Sequence, residues 1–75
     1  MELVRFLEGS RARQTPVAVC WQGRWRWVRL VSESLLEEAG PSRRRRRRFL
    51  LQDEQGIRFT LEGPREGPWS LVRAW

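Results

Sequence analysis

The sequence contains no histidine, lysine, tyrosine or asparagine. Without histidine the chain has no side chain whose ordinary pKa lies near neutral pH. Without lysine it has no amine for Schiff-base chemistry. One aspartate, eight glutamates, one cysteine and a few hydroxyl groups are left for catalysis. We therefore predict that the protein is not an enzyme and that it uses no cofactor and no small-molecule substrate.

Cysteine is nearly absent as well. Cys20 stands alone, so it forms no intramolecular disulfide, and without histidine it builds no usual zinc site. A single cysteine is typical of a reducing, cytoplasmic setting. The chain also lacks the basic start of a signal peptide and any apolar run long enough to span a membrane. We predict a cytoplasmic protein with no metal site and no membrane contact.

The charge is basic and comes from one residue type. All 15 basic residues are arginine, against 9 acidic ones, which gives a net charge of +6. The absence of lysine and the single isoleucine also suggest a GC-rich genome, which fits a thermophile. Codon bias is therefore one explanation of the arginine excess that requires no binding function.

Short apolar runs separated by glycine and proline predict five or six antiparallel strands. Residues 32–40 carry the capping-box spacing of Ser34 and Glu37, so they form one helical turn or a strand that continues past a bulge. The 75 residues allow one domain, and a sheet of that size must bend to enclose a core. The predicted fold is all-β, a small SH3-like or open antiparallel barrel. The strand candidates are residues 2–8, 17–21, 24–31, 49–52, 57–62 and 69–75.

The first hairpin is predicted in some detail. If Gln22 and Gly23 form a two-residue turn, small residues lie opposite large ones in the two strands. Both faces of this hairpin mix apolar and charged residues, so the pattern leaves open which face is buried. Cys20, between Val19 and Trp21, is predicted to be a buried small side chain. The expected pairs are Ala18 with Trp27 and Cys20 with Trp25.

A run of six arginines directly precedes an apolar strand. Alternate residues of a strand repeat at about 6.6 Å on one face, which is close to the spacing of phosphates on extended nucleic acid. Two other interpretations stay open: a solvated run inflated by codon bias, and contact with an acidic protein surface. Arg24, Arg26 and Arg29 form a second candidate patch. The run consists of Arg43, Arg44, Arg45, Arg46, Arg47 and Arg48.

Five tryptophans in so short a chain are the second signal. Tryptophan alternating with arginine, as in residues 24–27, is typical of surfaces that hold single-stranded nucleic acid. A small domain also needs large apolar side chains in its core. We expect Trp21, Trp69 and one of Trp25 and Trp27 to be core residues. The acidic pairs, residues 37–38 and 53–54, are predicted to neutralise arginines.

A series of landmarks follows in order along residues 16–75. They are Pro16, Val19, Trp21, Gly23, Arg24, Gly56, Phe59, Leu61, Trp69, Leu71 and Arg73. Their order resembles a family of short bacterial proteins known as a domain of unknown function. The resemblance implies nucleic-acid-related partners, because members are sometimes encoded near error-prone DNA polymerase genes. It implies no role for any single residue.

Two function classes follow from the residues. The leading hypothesis is a binding module that contacts DNA or RNA phosphates through the arginine-rich strand. The alternative is a protein–protein interaction or homodimerisation module with no nucleic-acid role. A third interpretation, a protein with no selected binding surface, predicts that ordered arginines pair with glutamates.

Overall fold

The computed structural model describes residues 2–7, 15–37, 45–64 and 67–74. These ranges contain six strands and no helix. Each strand pairs antiparallel with the next one in the chain, so β1 and β6 are the edges of a single sheet. The all-β class is confirmed, and the sheet is a curled half-barrel. The strands are β1 (Val4–Phe6), β2 (Pro16–Trp21), β3 (Arg24–Glu37), β4 (Arg45–Asp53), β5 (Arg58–Gly63) and β6 (Ser70–Ala74).

The turn between β2 and β3 has the predicted geometry. Gln22 and Gly23 have φ angles of 52° and 77°, the pair of positive values that a two-residue hairpin turn of the favoured twist requires. Glycine reaches such angles without steric cost. The register that follows is the predicted one, with Ala18 opposite Trp27 and Cys20 opposite Trp25.

Strand β3 is 14 residues long, because the stretch after Val31 stays extended. Its register against β4 shifts between Leu30 and Ser32, as at a β-bulge, and pairing then continues to Glu37. Of the two conformations considered for residues 32–40, the strand past a bulge is therefore correct as far as Glu37. Because of this extra length, the paired strands β3 and β4 extend beyond the core.

The core lies on the concave face of the curled sheet. Alternate residues of β4 and β5 point into it, which gives each strand the predicted two-residue period. Ile57, predicted to share a face with Phe59 and Leu61, packs against their cluster. The fully buried side chains of this cluster are Val19, Phe49, Leu51, Phe59 and Leu61.

Trp69 covers the open side of the half-barrel. Its ring centroid is 5.4 Å from Phe6 of β1 and 5.9 Å from Phe49 of β4, so it joins the first strand to the middle of the sheet. Trp21 similarly contacts Phe59, at 5.5 Å. Both tryptophans pack against the core, as the sequence predicts. A side chain at Gly63 would meet the Pro68 carbonyl oxygen at 2.6 Å, so only glycine fits under this segment.

Two predictions about the first hairpin are wrong. Neither Trp25 nor Trp27 belongs to the core, because their exposed fractions are 44% and 68%. Cys20 is only half-buried. The reason is the direction of the hairpin: Val19 and Trp21 turn their side chains inward, which puts the alternate residues on the convex face.

Candidate nucleic-acid interface

The convex face of the sheet collects arginines and tryptophans from three strands. Residues directly opposite in an antiparallel pair point to the same face, and so do alternate residues of one strand. Ala18 of β2 lies opposite both Arg5 of β1 and Trp27 of β3. On the other side of β3, Gln52 lies between Arg29 and Arg58. We call this surface the tryptophan face; its residues are Arg5, Trp25, Trp27, Arg29 and Arg58.

The two tryptophans of this face differ in their surroundings. The guanidinium carbon of Arg5 lies 4.9 Å from the ring centroid of Trp25, which is a cation–π distance. Trp27 is the most exposed large apolar side chain of the described ranges. Exposed tryptophan beside arginine offers flat apolar surface and positive charge together.

The arginines of this face keep most of their charge available. Within the ranges that the structure describes, Arg29 has no ion pair or side-chain hydrogen bond. Arg24 at the start of β3 has none either, but it lies opposite Trp21 and therefore on the other face of the sheet. Arg58 donates a hydrogen bond from Nε to Oε1 of Gln52 at 3.2 Å, a neutral partner. Arg5 lies 3.8 Å from Glu2, with both side chains mostly exposed, so solvent weakens this pair.

Arg26 lies on the same strand but points to the concave side, and its charge is used inside the fold. Its Nη1 donates to Oδ2 of Asp53 at 3.0 Å, across the end of β4. Asp53 is buried, with a side chain only 3% exposed. The predicted pairing of this aspartate with an arginine is confirmed. A buried ion pair holds the β4–β5 turn against β3, so Arg26 stabilises structure at the place where the sequence suggests a ligand contact.

Asp53 also organises the turn that follows it. Its Oδ1 accepts hydrogen bonds from the backbone N–H groups of Gln55 at 2.9 Å and Ile57 at 2.8 Å. Burial alone raises the pKa of this carboxyl group. The hydrogen bonds from Ile57, Arg26 and Gln55 outweigh burial, and the net effect lowers the pKa of Asp53 below its ordinary value of 3.8. The carboxylate is therefore charged at neutral pH.

The arginine run forms the second basic region. Residues 45–48 of β4 pair with residues 34–37 of β3, beyond the core. We call the two-stranded segment made of residues 33–37 and 45–48 the arginine ribbon. Its side chains alternate between faces, as predicted for a strand. Arg43 and Arg44, predicted as site residues, lie outside the described residues.

Glutamates lie beside the arginines of the ribbon. Arg47 donates from both Nε and Nη2 to Oε1 of Glu33, at 3.0 and 2.6 Å, and its Cζ lies 4.8 Å from the ring centroid of Phe49. On the other face, Arg48 donates from Nη2 to Glu62 at 3.1 Å. Arg46 lies 3.7 Å from the same carboxylate. This pairing is what the interpretation without a binding surface predicts for ordered arginines.

Of the predicted site residues, the structure therefore brings Arg45, Arg46, Arg47 and Arg48 together on the ribbon, and it sets Arg24 and Arg26 apart from them. Sequence reasoning missed Arg5 and Arg58, which reach the tryptophan face from other strands. Only the cross-strand register identifies them, because neither lies near Trp25 or Trp27 in the chain.

Three open clefts border Trp27. One, of about 250 Å³, lies beside the β4–β5 turn and is lined in part by the carboxylate residues Asp53 and Glu54. A second, of about 390 Å³, is lined by Arg29 and by the same two carboxylate residues. The third, of about 240 Å³, is lined by Trp25 and Trp27 together with Arg5, Ala18 and Arg26. Only the third has no acidic side chain in its lining, so a polyanion is best accommodated there.

Comparisons with known proteins find no matching family model, no matching curated protein and no matching solved structure. The resemblance described from the sequence landmarks therefore stays a prediction. Among the described ranges, no helix has the length and apolar character needed to cross a membrane.

Proposed function

We propose that the protein is a nucleic-acid-binding module, and that it holds phosphates mainly with the arginines of the tryptophan face. The observation that carries the proposal is the exposure of Trp25 and Trp27 beside Arg29, which has no acidic partner in the described part of the chain. Arginine presents a planar donor fork that matches phosphate oxygens. Proteins that bind nucleic acid without sequence preference combine such cations with exposed aromatic rings.

The proposal moves the site from the arginine run to the second candidate patch, where it keeps Arg29 and adds Arg5 and Arg58. The sequence favours the arginine-rich strand, but Arg47 and Arg48 already bind glutamates. A phosphate would have to compete with a carboxylate for each of these guanidinium groups. Arg29 and Arg58 have no acidic partner in the described part of the chain, so they should contribute more to the affinity. The proposal is a binding activity rather than a catalytic one, and it implies a cytoplasmic protein.

Salt-dependent titration tests this proposal. The variant Arg29→Gln/Arg58→Gln removes two cations from the tryptophan face, and Arg47→Gln/Arg48→Gln removes two from the ribbon as a matched control. For single strands, the slope of log affinity against log salt changes by about 0.7 for each lost phosphate contact. We expect the first variant to reduce the slope by about 1.4, and the control to reduce it far less. Fluorescence anisotropy of a labelled oligonucleotide measures both slopes.

Two results would contradict the proposal. Absence of salt-dependent binding to any DNA or RNA oligonucleotide at low ionic strength would remove the function altogether. An equal loss of slope in both variants would show that the ribbon contributes as much as the tryptophan face.

A protein–protein interaction or a homodimer is the second candidate function. The exposure of Trp27, 68%, favours it, because large exposed aromatic side chains are enriched at protein interfaces. Sedimentation velocity distinguishes the two: a homodimer through this face persists at high salt and disperses in Trp27→Gln. A monomer at every salt concentration excludes the homodimer.

A further inference from the structure

The cleft lined by Trp25 and Trp27 has a width set by the spacing of the two indole side chains, in addition to the positive charge beside it. The two indole side chains leave the same face of β3 two residues apart, which sets their attachment points about 6.6 Å apart along the strand. Ala18 lies opposite Trp27 on β2 and lines the cleft. A larger side chain at Ala18 would fill the space between the two tryptophans.

The spacing of the attachment points leaves room for one flat ring once the two indole rings lie parallel. Stacked bases of a duplex strand are separated by about 3.4 Å. A planar ring between two parallel rings therefore needs about twice that distance, which is close to the repeat of alternate strand residues. Aliphatic side chains are thicker than a ring, so a planar aromatic group is the best fit to such a slot.

The charges around the cleft point to the chemistry attached to that ring. Arg5 lines the cleft with its guanidinium carbon 4.9 Å from the ring centroid of Trp25, and Arg29 follows two residues after Trp27 on the same face. Glu2 is the acidic residue paired with Arg5, at 3.8 Å and largely exposed to solvent. A planar ring carried on a backbone of phosphates meets apolar surface in the cleft and positive charge on both sides of it.

We propose that this cleft binds an unpaired base of single-stranded nucleic acid, inserted between Trp25 and Trp27 above Ala18. The inference rests on the proposed function and specifies its ligand. A base within a duplex is already paired and stacked, so it enters only after its neighbours are disrupted. The module therefore selects single strands over duplexes, and it does so through the tryptophans rather than through the arginines.

The test separates the base from the backbone. Anisotropy titrations compare an eight-nucleotide oligothymidine, an oligouridine of equal length, and an abasic backbone of the same length and charge. One stacked base contributes a factor of about 5 to 150 in affinity. We expect the native protein to bind the base-containing strands about tenfold or more tightly than the abasic strand. Ala18→Val and Trp27→Leu should each abolish that preference, and Ala18→Val should leave affinity for the abasic strand unchanged.

Each outcome separates the inference from the proposed function. Equal affinity of the native protein for abasic and base-containing strands overturns the base slot while phosphate binding stands. No binding to any of the strands overturns the proposed function itself. If Ala18→Val unfolds, as judged by circular dichroism, Trp27→Phe provides the second test: it keeps a ring and should retain part of the preference that Trp27→Leu loses. If all the folded variants still bind base-containing strands more tightly than the abasic strand, the base stacks at another site and the inference is wrong.

Discussion

The arginine ribbon and the tryptophan face differ in how their charges are balanced. In the ribbon, the density of arginine in the sequence is high, yet Arg47 and Arg48 bind Glu33 and Glu62. On the tryptophan face the arginines are fewer, and Arg29 forms no ion pair with any described residue. A run of like charges in a sequence is therefore a poor measure of free charge on the folded surface.

The same contrast separates two kinds of arginine within one strand. Arg26 and Arg29 are both in β3, but Arg26 is tied to a buried aspartate and Arg29 projects from the convex face. Paired arginines should contribute to the stability of the fold, whereas unpaired ones should contribute to binding. This division leads to the predictions that follow.

The largest loss of stability is expected when Asp53, the buried partner of Arg26, is replaced. Asp53→Ala removes the partner of Arg26 and leaves the N–H groups of Gln55 and Ile57 without their acceptor. Removing the acceptor of several partly buried hydrogen bonds, one of them to a charged group, costs about 1–3 kcal/mol of unfolding free energy. Urea denaturation measures the loss. Glu54→Ala, at the next and exposed position, is the control and should change stability by less than about 0.5 kcal/mol.

The same carboxylate predicts a pH dependence. Because its folded-state pKa lies below the ordinary value of 3.8, Asp53 contributes its stabilisation above the unfolded pKa and loses it as pH falls through the folded pKa. The stability difference between the native protein and Asp53→Asn should therefore be largest at neutral pH and shrink below about pH 4. Urea titrations at neutral and acidic pH check this. A difference that grows at acidic pH would mean that the carboxylate is not held by its donors.

A smaller stability loss is expected in the ribbon. Arg47 is largely buried, binds Glu33 through two nitrogens and covers the ring of Phe49. Arg47→Gln should lower the free energy of unfolding by about 1 kcal/mol, because solvent partly screens the pair. Arg29→Gln removes an equal charge from an exposed position and should leave stability nearly unchanged. Equal losses in the two variants would contradict the division into structural and binding arginines.

The smallest expected effect is a gain in affinity for nucleic acid. Glu33→Gln/Glu62→Gln removes the carboxylates beside Arg47 and Arg48 and keeps side chains of similar shape. Exposed charges contribute about 0.2–1 kcal/mol each, so affinity for an oligonucleotide should rise by a few-fold. Anisotropy at low salt measures the change. An unchanged affinity would show that the ribbon lies away from the bound strand even when its arginines are released.

Local patterns in the sequence predict much of the fold. The residues of the Gln22–Gly23 turn fix the register of the first hairpin, and the alternation of Ile57, Phe59 and Leu61 identifies the buried face of β5. Both signals act between residues close in the chain, where turn geometry and strand period apply directly.

The candidate site depends on contacts that local patterns do not contain. Glu33 and Arg47 are 14 positions apart, and Arg26 and Asp53 are 27 apart. The mixed faces of the first hairpin also gave no indication that Trp25 and Trp27 lie outside the core. Their exposure follows from the packing of Val19 and Trp21 against strands elsewhere in the sheet.

An NMR titration tests the central claim most directly. Signals of the indole N–H groups and of the arginine Nε–H groups are assigned by single substitutions, and an eight-nucleotide single strand is then added. We predict that the indole signals of Trp25 and Trp27 and the Nε signal of Arg29 shift together, while those of Trp21, Arg26 and Arg47 stay in place. Shifts confined to Arg47 and Arg48, with Trp25 and Trp27 unaffected, would contradict the assignment of binding to the tryptophan face.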